Sequence, residues 1–244
     1  MKSIAWITGA ALGIGKEVAL EMHRRGYQLI LSDYNETALR EVADATQADM
    51  IPFDVLDKHA NKAAGEKILA KYGYVDLVFL NAGKYESIDV KNFNSETVEA
   101  ILQVNFLGPI YGVEASLPLL RASSQPQLVA MSSAMSYFCL PKCEAYGASK
   151  AAISNFFQGL RLELAKEQIV VSIVIPSFIQ TSLLDNANIP QRFIYSVSKA
   201  AKLIVDGIEK KKTEIKVPKL QVYLSQLLRL LPNKLSIYLI NKMD

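Results

Sequence analysis

Cysteine and histidine are the scarcest chemistry-bearing residues here, two of each in 244. Cys139 and Cys143 have three residues between them and no histidine beside them, which fits neither a zinc site nor a disulfide scaffold. Reduced, incidental thiols are expected. His23 and His59 stand away from any second metal-type or nucleophilic residue and read as solvated helix residues. No uninterrupted apolar run approaches the roughly 18 residues of a membrane span. The first apolar pattern, Ser3-Ile4-Ala5-Trp6-Ile7, ends too soon before Thr8-Gly9 for a signal-peptide core, and no long disordered tail is suggested. A cytoplasmic protein without a metal is the expectation.

What is abundant is apolar surface. Half of the chain is hydrophobic, enough for a sizeable core in one large domain. A net charge of +3 hides an asymmetry, because residues 210–244 hold eight Lys or Arg against two acids while the preceding body holds 19 against 22. Basic residues gathered in a tail, without interleaved aromatics, disfavour nucleic-acid binding.

Residues 3–7 read as a short buried strand, which Thr8-Gly9-Ala10-Ala11-Leu12-Gly13-Ile14-Gly15 turns into a helix patterned as far as Gly26. Glycines there let backbone approach a pyrophosphate, and a helix N-terminus supplies free N–H groups and a positive dipole end. A second strand, 28–32, ends at Asp33, eighteen residues beyond Gly15 and near the spacing at which an acid meets the adenosine ribose. Asp33 would accept bonds from both ribose hydroxyls and repel a 2′-phosphate. Leu12 and Tyr34 supply no compensating cation, so NAD is favoured over NADP. Asn35 fits the N-cap of the next helix better than Asp33 does.

Helix 36–46 leads to strand 50–53 and Asp54, and helix 59–72 leads to strand 75–80 and Asn81-Ala82-Gly83. Such alternation implies a parallel sheet whose C-terminal strand ends collect Gly9, Asp33, Asp54 and Asn81 at one edge. Residues 95–123 form a long helical pattern with Asn105 inside it, unfavourable there unless its amide has other work. Strand 128–131 ends at Ser132-Ser133, a helix runs from Tyr146 to about Gln168, and strand 170–175 follows.

Three Tyr-x-x-x-Lys pairs occur, starting at Tyr146, Tyr195 and Tyr238. About one is expected by chance, so context must separate them. Tyr146 has Ser133 thirteen residues upstream and Tyr195 has Ser182 at the same distance, but only Tyr146 opens a helix between two strands of the alternating order. Tyr146 and Lys150 then share a helix face, and the ammonium is expected to lower the phenol's pKa below its usual value of about 10.

Thr8-Gly-x-x-x-Gly13-Ile14-Gly15, Asn81-Ala82-Gly83, Asn105, Ser133 and Tyr146-x-x-x-Lys150, in this order, resemble the short-chain dehydrogenase/reductase family over about residues 3–217. The resemblance implies an α/β fold: a Rossmann-type, doubly wound parallel sheet of seven strands in a three-layer αβα single domain. It also implies a relay in which Tyr146 is the general acid/base, Ser133 bonds the substrate oxygen, Lys150 binds the nicotinamide ribose and Asn105 holds a water. By the same resemblance Asp54 and Val55 would contact adenine, Asn81 would flank the adenosine side, and Pro176, Ile179 and Thr181 would lie by the nicotinamide. A homodimer or homotetramer is implied too. The chain departs from the family at Pro176-Ser177, where glycine usually follows the proline; an altered cofactor pose or substrate shape is the expectation.

Residues 182–195 occupy the family's variable substrate loop. Tyr137, Phe138, Phe178, Leu183 and Leu184, with Leu140 and Phe193, would make a mostly apolar pocket beside Ser133, suited to a hydrophobic alcohol or ketone. A non-catalytic, nucleotide-binding regulatory protein is the alternative. Residues 1–217 form the catalytic domain in this reading and 218–244 a helical C-terminal extension. There Leu220, Leu224, Leu227, Leu228 and Leu231 make a helical stripe, Pro232-Asn233 interrupts it and an apolar pattern resumes from Leu235. Three occupants suit it: the same subunit or a second one, the substrate pocket as a lid, or a membrane surface touched through residues 218–240.

Overall fold

Strands covered on both faces must be apolar throughout, and five segments of this chain are. In the computed structural model, which describes residues 2–181, 191–232, 234–236 and 238, these become the centre of one seven-stranded, wholly parallel sheet. Its strands are β1 (Ile4–Thr8), β2 (Gln28–Ser32), β3 (Asp49–Met50), β4 (Leu77–Leu80), β5 (Gln127–Met131), β6 (Val170–Pro176) and β7 (Glu214–Val217), in the order β3-β2-β1-β4-β5-β6-β7. The helices are α1 (Gly13–Arg24), α2 (Glu36–Thr46), α3 (Lys58–Tyr72), α4 (Ser95–Leu102), α5 (Gly108–Arg121), α6 (Glu144–Leu164), α7 (Val197–Glu209) and α8 (Lys219–Leu230).

Alternate strand residues feed two separate cores. Ala5, Ile7, Leu29, Leu31 and Phe79 pack under α1, α2 and α7, with Met22, Leu39 and Ile204. Trp6, Ile30, Val78, Leu80 and Leu128 pack under α3, α5 and α6, with Ile68, Leu120 and Phe157, and Val222 of α8 joins them. Each large side chain so enclosed contributes about 1.5–3 kcal/mol. On the first face Arg25, just past α1, adds ion pairs to Asp206 and Glu209 of α7.

Caps sit where short polar residues precede the helical pattern. Asn35 accepts from Ala38 N at the start of α2, and Asp57 from Ala60 N at the start of α3. The third strand is shorter than expected from 50–53: only Asp49 and Met50 pair with β2, although the N–H groups of Ile51 and Phe53 still donate to Leu31 O and Asp33 O. The long helical pattern after Ser95 is continuous but not uniformly α. Gln103–Leu107 forms a π-helical turn joining α4 to α5. Among the described residues no helix is long and apolar enough to cross a membrane.

The tail departs from one expectation. Of α8 only Val222 and Ser225 are buried, whereas Leu220, Leu224 and Leu227 of the leucine stripe are exposed. Those three leucines do not pack on their own subunit, while Leu228 and Leu231 of the stripe are half-buried. The inward side is held by polar contacts, Gln221 Nε2 to Phe193 O at 2.8 Å and Lys216 Nζ to Gln226 Oε1 at 3.2 Å.

Candidate active site

The sheet order reverses between β1 and β4, and ligand crevices form outside the C-terminal strand ends at such a point. Both strand ends are locked together there. Thr8 Oγ1 accepts from Asn81 N at 3.3 Å, and Asn81 Nδ2 donates to Gly9 O at 2.8 Å. Gly9 has φ +66°, and a Cβ on it would fall 2.6 Å from Ala82 Cα. A Cβ on Gly15 would strike the Gly9 carbonyl and come within 2.5 Å of Asn81 Nδ2. These glycines are dictated by the close approach of two backbones.

Above them, α1 starts after Leu12 with no side-chain cap, which leaves its first N–H groups free for an anion. Asp33 closes the end of the crevice beyond β2: Oδ2 accepts from Ala11 N at 3.1 Å and Oδ1 from Asn35 N at 3.0 Å. The carboxylate is so oriented while keeping lone pairs for further donors. A cleft of about 570 Å³ runs from here, and most of the expected nucleotide residues line it: Gly9, Leu12, Gly13, Ile14, Asp33, Asp54, Val55, Asn81, Ala82, Gly83, Tyr146, Lys150, Pro176 and Thr181. Size, uncapped helix and glycine cradle fit a dinucleotide.

Three expected residues lie behind the wall rather than in it. Thr8 and Gly15 are enclosed by the clamp just described, and Ile179, only 4% exposed, packs in the core under α7. Tyr34, Asn35 and Ser132, named above in other roles, also line the cleft, and so do Phe53, Leu56, Lys84, Tyr85, Val104 and Met131, which the sequence did not single out. Lys84 and Tyr85 directly follow Asn81-Ala82-Gly83, so position in the chain was an available signal.

At the far end stands the tyrosine. The residue is partly exposed, but its phenolic end is enclosed, with the Tyr85 ring edge-on at 5.6 Å between centroids. Burial pushes the phenol up to about 12, and a hydrogen bond with Ser133 works against that rise. Lys150 Nζ sits 5.6 Å from the Tyr146 ring centroid and donates to Met131 O at 3.1 Å. Only 2% exposed, Lys150 has its own pKa brought down by burial to about 8. Desolvation is thus the largest influence on both groups, raising the phenol and lowering the ammonium.

Asn105 explains its own misfit. From the π-helical turn its Nδ2 donates to Lys84 O and Ser149 Oγ, both at 2.9 Å, and its Oδ1 accepts from Lys84 N at 2.7 Å. The amide pins the loop after β4 to α6, one residue from Lys150. Ser177 takes no left-handed backbone geometry, and its N–H donates to Val217 O at 2.8 Å, so the absence of glycine introduces no strain there.

Among the expected substrate residues, Ser133 meets Tyr146. Tyr137 packs with the second core and reaches Gln226 of α8, while Phe138 and Phe178 are half-buried. Leu183 and Leu184 lie outside the described residues. Of the competing pairs, Tyr195 precedes α7 and so does not share a helix with Lys199, and Lys242, the partner of Tyr238, lies outside the described residues. Cys139 and Cys143 are free, and burial raises both thiols above their usual range.

Residues 3–192 match the family model for short chain dehydrogenase. Over 253 aligned residues the chain is 31% identical to the mouse (Mus musculus) Dehydrogenase/reductase SDR family member 7B, covering 92% of this chain and 77% of that one. Two solved structures superpose closely. A Burkholderia cenocepacia short chain dehydrogenase in complex with NADP has a TM-score of 0.84 at 21% identity, covering 97% of this chain and 96% of that one. A Burkholderia phymatum short chain dehydrogenase/reductase in complex with NAD has 0.83 at 22%, covering 94% and 93%. The chain belongs to the short-chain dehydrogenase/reductase family of oxidoreductases.

Proposed function

We infer that the protein is an NAD-linked dehydrogenase or reductase acting on a hydrophobic secondary alcohol or the matching ketone. The observation that carries this is Tyr146 beside Ser133, with Lys150 beneath its ring, at the end of the same cleft that begins at the glycine turn and Asp33. NAD is chosen because Asp33 presents a carboxylate where a 2′-phosphate would sit, and the neighbours Leu12 and Tyr34 are uncharged. The two similar structures hold one cofactor each, NADP and NAD, so the choice rests on this chain's own residues.

The bound dinucleotide would supply the hydride acceptor or donor. Gly9, Gly13 and the N–H groups opening α1 would hold its pyrophosphate, Asp33 its adenosine ribose, and Lys150 its nicotinamide ribose. Ser133 would donate to the substrate oxygen and so fix its position. A phenol near 12 is protonated at neutral pH, which suits Tyr146 to giving its proton to that oxygen as a ketone is reduced. Lys150, charged below about pH 8, would then stabilise the phenolate left behind. In the opposite direction the same phenolate would take the alcohol's proton. A homodimer or homotetramer is part of this reading.

The test is steady-state kinetics with a panel of hydrophobic alcohols and ketones, followed by NADH and, in parallel, NADPH absorbance. Tyr146→Phe should abolish turnover while NADH binding stays within a few-fold of the parent chain. Retained turnover would remove Tyr146 from the chemistry, and a higher kcat/KM with NADPH would overturn the cofactor assignment.

A further inference from the structure

Helix α8 is built inside out. Soluble helices ordinarily turn their apolar stripe inward, but here the inward side carries Gln221, Ser225 and Gln226 beside Val222. The opposite side presents Leu220, Tyr223, Leu224, Leu227 and Leu230, all between 52% and 80% exposed. Their spacing places them on one continuous face. Together they expose apolar surface on the order of 500 Å², in the range of roughly 300–600 Å² where the largest patch of a monomer is often functional.

Charge selects the occupant. Lys219 opens the helix beside the apolar face and Lys234 stands four residues beyond Leu230, while Arg229, four residues after Ser225 and seven after Val222, lies on the inward side. The only acid in residues 210–238 is Glu214, and it is already paired with Lys216 at 3.1 Å. A second copy meeting this face about a two-fold axis would bring the same cations together. It would also bury only about 1,000 Å² in total, below the ordinary range for a stable interface. An anionic lipid surface meets both features at once: acyl chains take the leucines and headgroups take the cations.

We propose that α8 is a peripheral membrane-binding helix, seating the protein on anionic bilayers through Leu220, Tyr223, Leu224, Leu227 and Leu230. The tyrosine suits the interfacial depth, with an apolar ring and a polar tip. Lys216 lies over the Tyr223 ring at 4.6 Å, bracing it from the protein side.

Co-sedimentation of the full chain with vesicles tests this. The vesicles would be phosphatidylcholine alone or with roughly 30% phosphatidylserine, at low and at about 0.5 M salt. The parent chain should pellet with the anionic vesicles at low salt and be released as salt rises. The double variant Leu224→Glu/Leu227→Glu should partition at least about tenfold more weakly, while its circular-dichroism melt stays unchanged because both positions are exposed. A chain left in the supernatant at low salt, or a double variant that pellets as well as the parent, overturns the proposal. So does a parent dimer that sedimentation velocity shows converted to monomer by the double variant, without vesicle binding by either.

Discussion

Replacing Lys150 with methionine should make the protein more stable at neutral pH while removing its activity. The ammonium is enclosed, and burial holds its pKa at about 8 instead of the ordinary 10.5. A gap of about 2.5 units corresponds to about 3 kcal/mol at 1.36 kcal/mol per unit. The sign follows from proton counting. Between pH 8 and 10.5 the unfolded chain holds the lysine proton and the folded one has released it, so folding stability rises with pH across that window. Below pH 8 both states are charged and the whole penalty is present; above 10.5 it has gone.

Methionine approximates the lysine stem without the charge, but it loses the hydrogen bond to Met131 O, worth about 1 kcal/mol. The net expectation is a gain of about 2 kcal/mol at pH 7, or about 4–8 °C in Tm for a chain this long. Above pH 10.5 the variant should instead fall about 1 kcal/mol below its parent. Denaturant titration at a series of pH values, read from the fluorescence of Trp6, measures both limits. That residue is the single tryptophan and is fully buried in β1. Subtracting parent from variant at each pH cancels other titrating groups. A destabilised variant at pH 7, or a difference that does not change between pH 8 and 10.5, would refute the reasoning.

Two further outcomes follow from packing. Gly15→Ala places a Cβ against the Gly9 carbonyl and Asn81 Nδ2, so the turn must open; NADH binding in a fluorescence titration should weaken at least ~100-fold, about 3 kcal/mol. Binding within threefold of the parent would show that the turn can yield. Asn105→Ala unpairs the N–H and C=O of Lys84 together, costing about 2 kcal/mol and, by thermal melt, about 4–8 °C. Activity should drop with it, since the loop after β4 is no longer fixed beside Lys150.

Much of this was readable from the chain because it rests on local signals. Strand 28–32 and the Asn35 cap follow from an apolar run and the short polar residues just past its end, and the structure places them at the same residues. The Tyr146–Lys150 pair was separable from its two rivals by its place in the strand order. Proton affinities were not readable, because the groups that desolvate Tyr146 include Tyr85, sixty-one residues away in the chain. Nor was the direction of α8. Its periodicity reveals a stripe, but which side turns inward is decided by partners outside it, Phe193 O and Lys216. At β3 the shortfall was one of regularity: residues 51–53 run on beside β2 without strand geometry.

The π-helical turn at Gln103–Leu107 does more than display Asn105. One extra residue in a turn rotates everything after it by about 100° relative to what precedes it. Helices α4 and α5 therefore form one rod with two independent facings. The first turns Ile101 toward Ile88 and Ala145, in a small core apart from the sheet. The second brings Gly108 and Gly112 so close to Val55 and Leu80 that a Cβ on either would lie 3.0 Å or less from a side-chain carbon. Removing any one residue from this turn would restore a regular helix and force one of those facings out of register. Chain length between Ser95 and Arg121 is thus itself under constraint, in a segment where every residue is helical and none could be spared without consequence.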